Sequence, residues 1–143
     1  MARKARQTSG TGIYHVMLRG INRQVIFESN ADYSYFIRIL YRMVYPMDES
    51  RHPQPSLCSI YAYCLMPNHV HLLVCLPSES GPKLGRIIQH LKGFVTKQCG
   101  QAIWQDKYYD HVVRNEADYR TKYQYILDNP AKWAEDEYYS SLK

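Results

Sequence analysis

The sequence has no apolar run long enough to cross a bilayer. Its longest runs are broken within a few residues, far short of the roughly 20 that a spanning helix needs. Nor does it open like a secretory signal, because residues 1–12 are basic and polar, with no apolar stretch behind them. These absences predict a soluble, intracellular chain with no membrane partner. Cysteine is sparse: Cys58, Cys64, Cys75 and Cys99 lie far apart and form no CxxC pair. Neither a disulfide framework nor a zinc knot is expected, and the four thiols read as reduced packing residues. No repeat, linker or low-complexity tract divides the 143 residues. One domain over 1–143 is therefore expected, with a basic arm at 1–12 and an acidic, aromatic tail at 131–143.

What is abundant is positive charge and tyrosine. The formal net charge is +5 and there are 14 tyrosines. A basic balance favours a polyanionic partner through counterion release, and phenol rings stack on unpaired bases. Composition thus admits single-stranded nucleic acid as a partner without requiring it.

Residues 13–19 alternate and are rich in strand formers, which predicts a first strand. A loop over 20–29 carries Asn22 and Arg23. A helix then begins at Ser29 or Asn30, either of which can cap it, and Pro46 ends it. Tyr33, Phe36, Ile37, Leu40, Tyr41 and Val44 recur at helical spacing and are assigned to its buried face. Strands at 57–65 and 69–76, joined by Met66-Pro67-Asn68, read as an antiparallel hairpin. A second helix over 83–98 has Leu84, Ile87, Ile88, Leu91, Phe94 and Val95 on one face, and Lys83, Arg86, His90 and Lys97 along an adjacent stripe. A fourth strand is expected at 107–114 and a third helix at 116–129. The first six elements give the βαββαβ order of an α+β, ferredoxin-like antiparallel sheet with helices on one face.

Two constellations carry chemistry. In His69-Val70-His71, residues two apart on a strand project to the same face, so both imidazoles can hold one divalent cation. In the third helix, Tyr119, Tyr123, Ile126 and Leu127 gather on one side, assigned to the core. Tyr125 falls on the other side beside Asn129, four residues on. That leaves Tyr125, rather than Tyr123, free to face a site.

These motifs resemble the REP-associated branch of the single-tyrosine HUH transposases, relatives of the small insertion-sequence transposases that act on single-stranded DNA. Tyr14-His15-Val16 with Arg19-Gly20-Ile21-Asn22-Arg23 is similar to that family's opening strand and loop. Cys64-Leu65-Met66-Pro67-Asn68-His69-Val70-His71-Leu72-Leu73 is similar to its HUH motif. Ile103-Trp104-Gln105 and Tyr109-Asp110 resemble the segment before the fourth strand, and Tyr125-Ile126-Leu127-Asp128-Asn129-Pro130 resembles its Y-I-x-x-N-P. The chain departs from the pattern at Ala131-Lys132-Trp133, which bears on the hairpin recognised rather than on the chemistry.

The resemblance implies that His69 and His71 bind Mg2+ or Mn2+, that Asn129 adds a ligand, and that Tyr125 is the nucleophile. It implies a 5′-phosphotyrosine intermediate on single-stranded DNA with hairpin or palindromic ends, in a bacterial cytoplasm at the nucleoid. Relatives of this kind include monomers and homodimers that exchange the tyrosine helix, and the sequence leaves both open. For DNA contacts it offers Arg19, Asn22 and Arg23 at the first strand's end, and Lys83, Arg86 and Lys97 on the second helix. Two other readings stand beside this one: a metal-dependent phosphodiesterase, and a non-catalytic single-stranded nucleic-acid-binding module. No second H-x-T/S motif favours the first, and the off-core tyrosine argues against the second.

Overall fold

The computed structural model describes residues 10–77 and 81–129. The tail at 131–143 and most of the basic arm lie outside the described residues. Seven main elements follow in order: β1 Ile13–Arg19, α1 Asn30–Val44, β2 Ser59–Met66, β3 His69–Cys75, α2 Leu84–Cys99, β4 Tyr109–Val112 and α3 Glu116–Asp128. The sheet runs β2-β3-β1-β4 with every neighbouring pair antiparallel. This is the strand order expected of a βαββαβ ferredoxin-like sheet. β4 is shorter than the expected 107–114, and the β2–β3 turn is only Pro67-Asn68, because Met66 still pairs with His69.

Local chemistry sets the helix ends. Ser29 caps α1: its hydroxyl accepts from the Asp32 amide, while the Asp32 carboxylate accepts from the Ser29 and Glu28 amides. These contacts satisfy amides that have no partner inside the helix. α2 stops at Gly100, whose φ of +75° is the left-handed conformation glycine adopts without strain. Asn115 caps α3 by accepting from the Asp118 amide at 2.8 Å.

The sheet is covered on both faces. On one, Tyr14, Val16 and Leu18 of β1 and Val70, Leu72 and Val74 of β3 pack against Phe36, Ile39, Leu40 and Met43 of α1. Leu84, Ile87, Ile88, Leu91 and Val95 of α2 complete this main core. On the other, α3 lies across β2 and β3 over a smaller cluster of Ala62, Cys64, Met66, Leu73, Val113 and Ile126. β3 is therefore buried along nearly its whole length, as a strand covered on both sides should be. Of the four free cysteines, Cys58 and Cys64 are buried, Cys75 is half-buried and Cys99 is exposed. Among the described residues no helix is long and apolar enough to cross a membrane.

The faces of two helices differ from expectation. α1 turns Ile39 and Met43 inward and leaves Ile37 and Tyr41 exposed. Its apolar residues cover more than half the circumference, so three- and four-residue spacing alone admits two adjacent stripes. On α2, Phe94 is exposed rather than buried. It sits at the margin of the apolar face, next to the basic stripe.

The loop after β1 is tied to the β2–β3 turn. The Pro67 carbonyl accepts from the Ile26 and Phe27 amides, and the Asn68 carbonyl accepts from the Gly20 amide. The loop folds so tightly that a Cβ on Gly20 would lie 2.5 Å from the Gln24 carbonyl oxygen. Because that atom is backbone, Gly20→Ala must displace the loop. It is expected to cost about 1–3 kcal/mol, read as a lower melting temperature. An unchanged melting temperature would show that the loop yields freely.

Candidate active site

The site forms on the face of the sheet covered by α3. His69 and His71 share that face of β3 and are buried, at 0% and 1% exposure. Their ring centroids lie 5.0 Å apart with the planes nearly perpendicular. His69 Nδ1 lies 2.8 Å from Asn68 Oδ1, so the ring donates there and its Nε2 is left as the lone-pair nitrogen. His71 Nδ1 lies 3.1 Å from Nε2 of His15 on β1, and the two rings stack at 5.3 Å. The register explains this meeting. Met17 is the direct partner of His71 and Leu73 that of His15, so the two histidines are diagonal neighbours on one face.

Burial holds His71 and His15 neutral. The pKa of His71 is pushed down to about 3, first by burial and then by the neighbouring His69 and His15. That of His15 is pushed down to about 4 by burial, then by the Lys122 and His111 charges, against an opposing pull from Asp118. Neutral rings keep the lone pairs that a cation would need.

α3 brings Tyr125 to the edge of this cluster. The phenol ring stands edge-on to His71 at 5.5 Å and to His15 at 5.9 Å, and stays 50% exposed. Asn129, one turn further along, is buried and its side-chain amide donates toward the Tyr125 carbonyl at 3.4 Å. The start of the helix is pinned to β4 by His111 Nε2, 2.9 Å from an Asp118 carboxylate oxygen.

The expected division of α3 is only partly met. Of the four residues assigned to its core side, Ile126 is buried and Tyr119 partly so, while Tyr123 is 36% and Leu127 is 52% exposed. Tyr125 is not opposite the packed face but on one flank of it; Tyr123 is on the other flank, stacked on Tyr119 at 5.9 Å. The packed arc mixes polar and apolar residues because it covers histidines as well as aliphatic side chains, and apolar periodicity misplaces the centre of such an arc.

The candidate DNA contacts separate into two groups. Arg19 pairs with His69 across β1 and β3 and shares the parity of His15, which puts it on the site face. Asn22 and Arg23 are exposed in a short turn with left-handed φ of 53° and 60°. Lys83, Arg86 and Lys97 are exposed on α2, beyond the opposite face of the sheet. Arg86 and Lys97 line a shallow groove with His90 and Phe94. The structure does not bring this second group to the histidines.

Among proteins of known sequence, the REP-associated tyrosine transposase of Escherichia coli K12 is 35% identical over 74 residues, 51% of this chain and 44% of that protein. A Haemophilus influenzae protein provisionally given the same name is 30% identical over 106 residues, 60% of this chain and 60% of that protein. The chain is similar in sequence to the REP-associated tyrosine transposases. It spans about half the length of these curated relatives. No protein-family model matches it. A solved REP-associated tyrosine transposase bound to a REP hairpin superposes with a TM-score of 0.70 at 24% identity, over 92% of this chain and 74% of that one. At that identity the likeness is one of fold, and it agrees with the four-stranded antiparallel sheet and three helices seen here.

His69, His71 and Tyr125 thus lie together on one face of the sheet. His15 and Asn68 were missed as site residues. In the sequence, Asn68 reads only as a turn former. The signal for His15 was an imidazole inside an otherwise apolar strand, and only the β1–β3 register gives it meaning.

Proposed function

We propose that this chain is a DNA transposase of the single-tyrosine HUH kind, a divalent-metal-dependent enzyme that cuts and rejoins single-stranded DNA through Tyr125. The observation that carries this reading is the position of Tyr125, a half-exposed phenol set edge-on against two buried, neutral histidines. An ordinary surface tyrosine has no reason to stand there.

The residues present fit a cation. His71 Nε2 is buried and without a hydrogen-bond partner among the described residues, as a ligand atom awaiting a metal would be. Among the described residues no group of three or more His, Cys, Asp or Glu is arranged to hold a metal. His69 and His71 would therefore be joined by the amide oxygen of Asn129, with water or phosphate oxygens completing the shell. Mg2+ or Mn2+ bound there would act as a Lewis acid, countering negative charge on the phosphate.

The chain's own residues do the rest. Tyr125 gives up its hydroxyl proton as its oxygen attacks phosphorus in line. The P–O3′ bond breaks, the leaving oxygen takes up a proton to become a 3′-OH, and the 5′-phosphate stays esterified to Tyr125. Attack on that ester by another 3′-OH reverses these steps, rejoining DNA with no external energy source. α3 contributes positioning, being fixed by Ile126 below and the His111–Asp118 pair at its start. The hairpin held by the structural neighbour supports hairpin-ended DNA as the substrate. Incubating the protein with a labelled single-stranded hairpin and Mn2+ should give a covalent adduct stable on a denaturing gel. A phosphodiesterase or a passive binder gives none, and absence of the adduct would overturn the reading.

DNA binding should weaken steeply with salt. Replacing Arg19, Arg23, Lys83, Arg86 or Lys97 singly by Ala should lower the log–log salt slope by about 0.7 for each lost phosphate contact. Slopes unchanged in all five variants would remove these residues from the interface.

A further inference from the structure

We propose that His15 is a positioning residue for His71: its Nε2 accepts a hydrogen bond from the N–H at His71 Nδ1, and so keeps His71 Nε2 as a bare lone pair facing the metal position. The inference rests on the metal reading above. It starts from an asymmetry in how the two HUH rings are held. His69 donates from Nδ1 to the side-chain oxygen of Asn68, an atom that can only accept. That ring's tautomer is therefore decided. His71 has no such neighbour; its Nδ1 meets another imidazole nitrogen, Nε2 of His15, at 3.1 Å.

Two proton arrangements are open to this pair, and they have opposite consequences. If His15 donates from Nε2, His71 accepts at Nδ1 and must carry its own proton on Nε2. That nitrogen then cannot bind a cation. If His71 donates from Nδ1 and His15 accepts, both HUH rings present Nε2 lone pairs, as two ligands of one ion require. His15 then carries its proton on Nδ1.

That nitrogen supplies the second observation. His15 Nδ1 is buried and has no hydrogen-bond partner among the described residues. A residue kept only for packing on this face of β1 would be better served by a leucine, which has no polar atom to leave unmet. The imidazole is retained with one nitrogen unsatisfied while the other is aimed at His71. This is the arrangement expected of a side chain that serves its neighbour's chemistry.

Two measurements test it, neither of them activity. Long-range 1H–15N spectra of metal-free protein with 15N-labelled histidine should show His71 protonated at Nδ1 and His15 bare at Nε2. The reverse arrangement would overturn the proposal. In a Mn2+ titration followed by calorimetry, His15→Leu, which fills the space without an acceptor, should weaken binding by roughly 10–100-fold. His15→Gln, whose side-chain oxygen can accept, should recover most of that loss. Parent-like Mn2+ affinity in folded His15→Leu would sink the role of His15 while leaving the metal site standing. If the parent itself binds no Mn2+, the metal reading fails, and the positioning role fails with it. Should His15→Leu not fold, the spectra of the parent still decide the tautomer.

Discussion

Tyr125→Phe is expected to fold, bind Mn2+ and bind hairpin DNA, yet form no covalent adduct. The change removes one oxygen from a ring that is half-exposed, so packing against His15 and His71 should survive. Tyr123→Phe is the matched control. Two residues apart on a helix, the two side chains point about 160° away from each other, and Tyr123 stacks on Tyr119 rather than on a histidine. Its hydroxyl should be dispensable for the reaction, with a change in stability within about 0.5 kcal/mol. The measurement is the denaturing-gel adduct assay on both variants. An adduct that survives Tyr125→Phe and disappears with Tyr123→Phe would overturn the assignment of α3, and with it the proposed nucleophile.

Loss of the cation should be as complete in effect. EDTA is expected to abolish nicking, and added Mn2+ or Mg2+ to restore it. Replacing His69 or His71 should abolish nicking irreversibly while leaving DNA binding largely in place. Complete burial of both rings makes the choice of substituent matter: alanine would leave a cavity costing on the order of 2 kcal/mol or more. His69→Leu and His71→Leu fill similar space without a ligand atom, and separate loss of metal from loss of fold when nicking is read beside a thermal melt. Nicking undiminished in EDTA would refute the metal assignment outright.

The sheet was legible in the sequence because strand order, hairpin turn and capping residues are local signals that agree with one another. Ser29, Pro67-Asn68 and Gly100 each mark a boundary by a short-range mechanism. Helix faces were less legible. For α1 the choice between Ile37 with Tyr41 and Ile39 with Met43 depends on which stripe the sheet meets, and both stripes are apolar. For α3 the failure is more informative. The helix buries Ile126 and Asn129 together, since it lies partly over an apolar cluster and partly over histidines, and no apolar moment describes such a face. The pairing of His15 with His71 was beyond reach for a related reason. It joins residues 56 positions apart by a diagonal contact that only the register specifies.

Surface loops usually absorb insertions, because little depends on their path. The stretch of residues 20–27 is an exception. Gly20, Ile26 and Phe27 donate their amides to carbonyls of Pro67 and Asn68, the two residues that immediately precede His69. A residue added between Gly20 and Phe27 would shift these anchors apart and pull on the turn from which β3 departs. The damage would surface at His69, more than 40 positions away in sequence. The stretch between α1 and β2 is fastened mainly to itself and to the end of α1, and extra length there would leave the histidines where they are. Of these two connections, the shorter is the one whose length bears on the histidines.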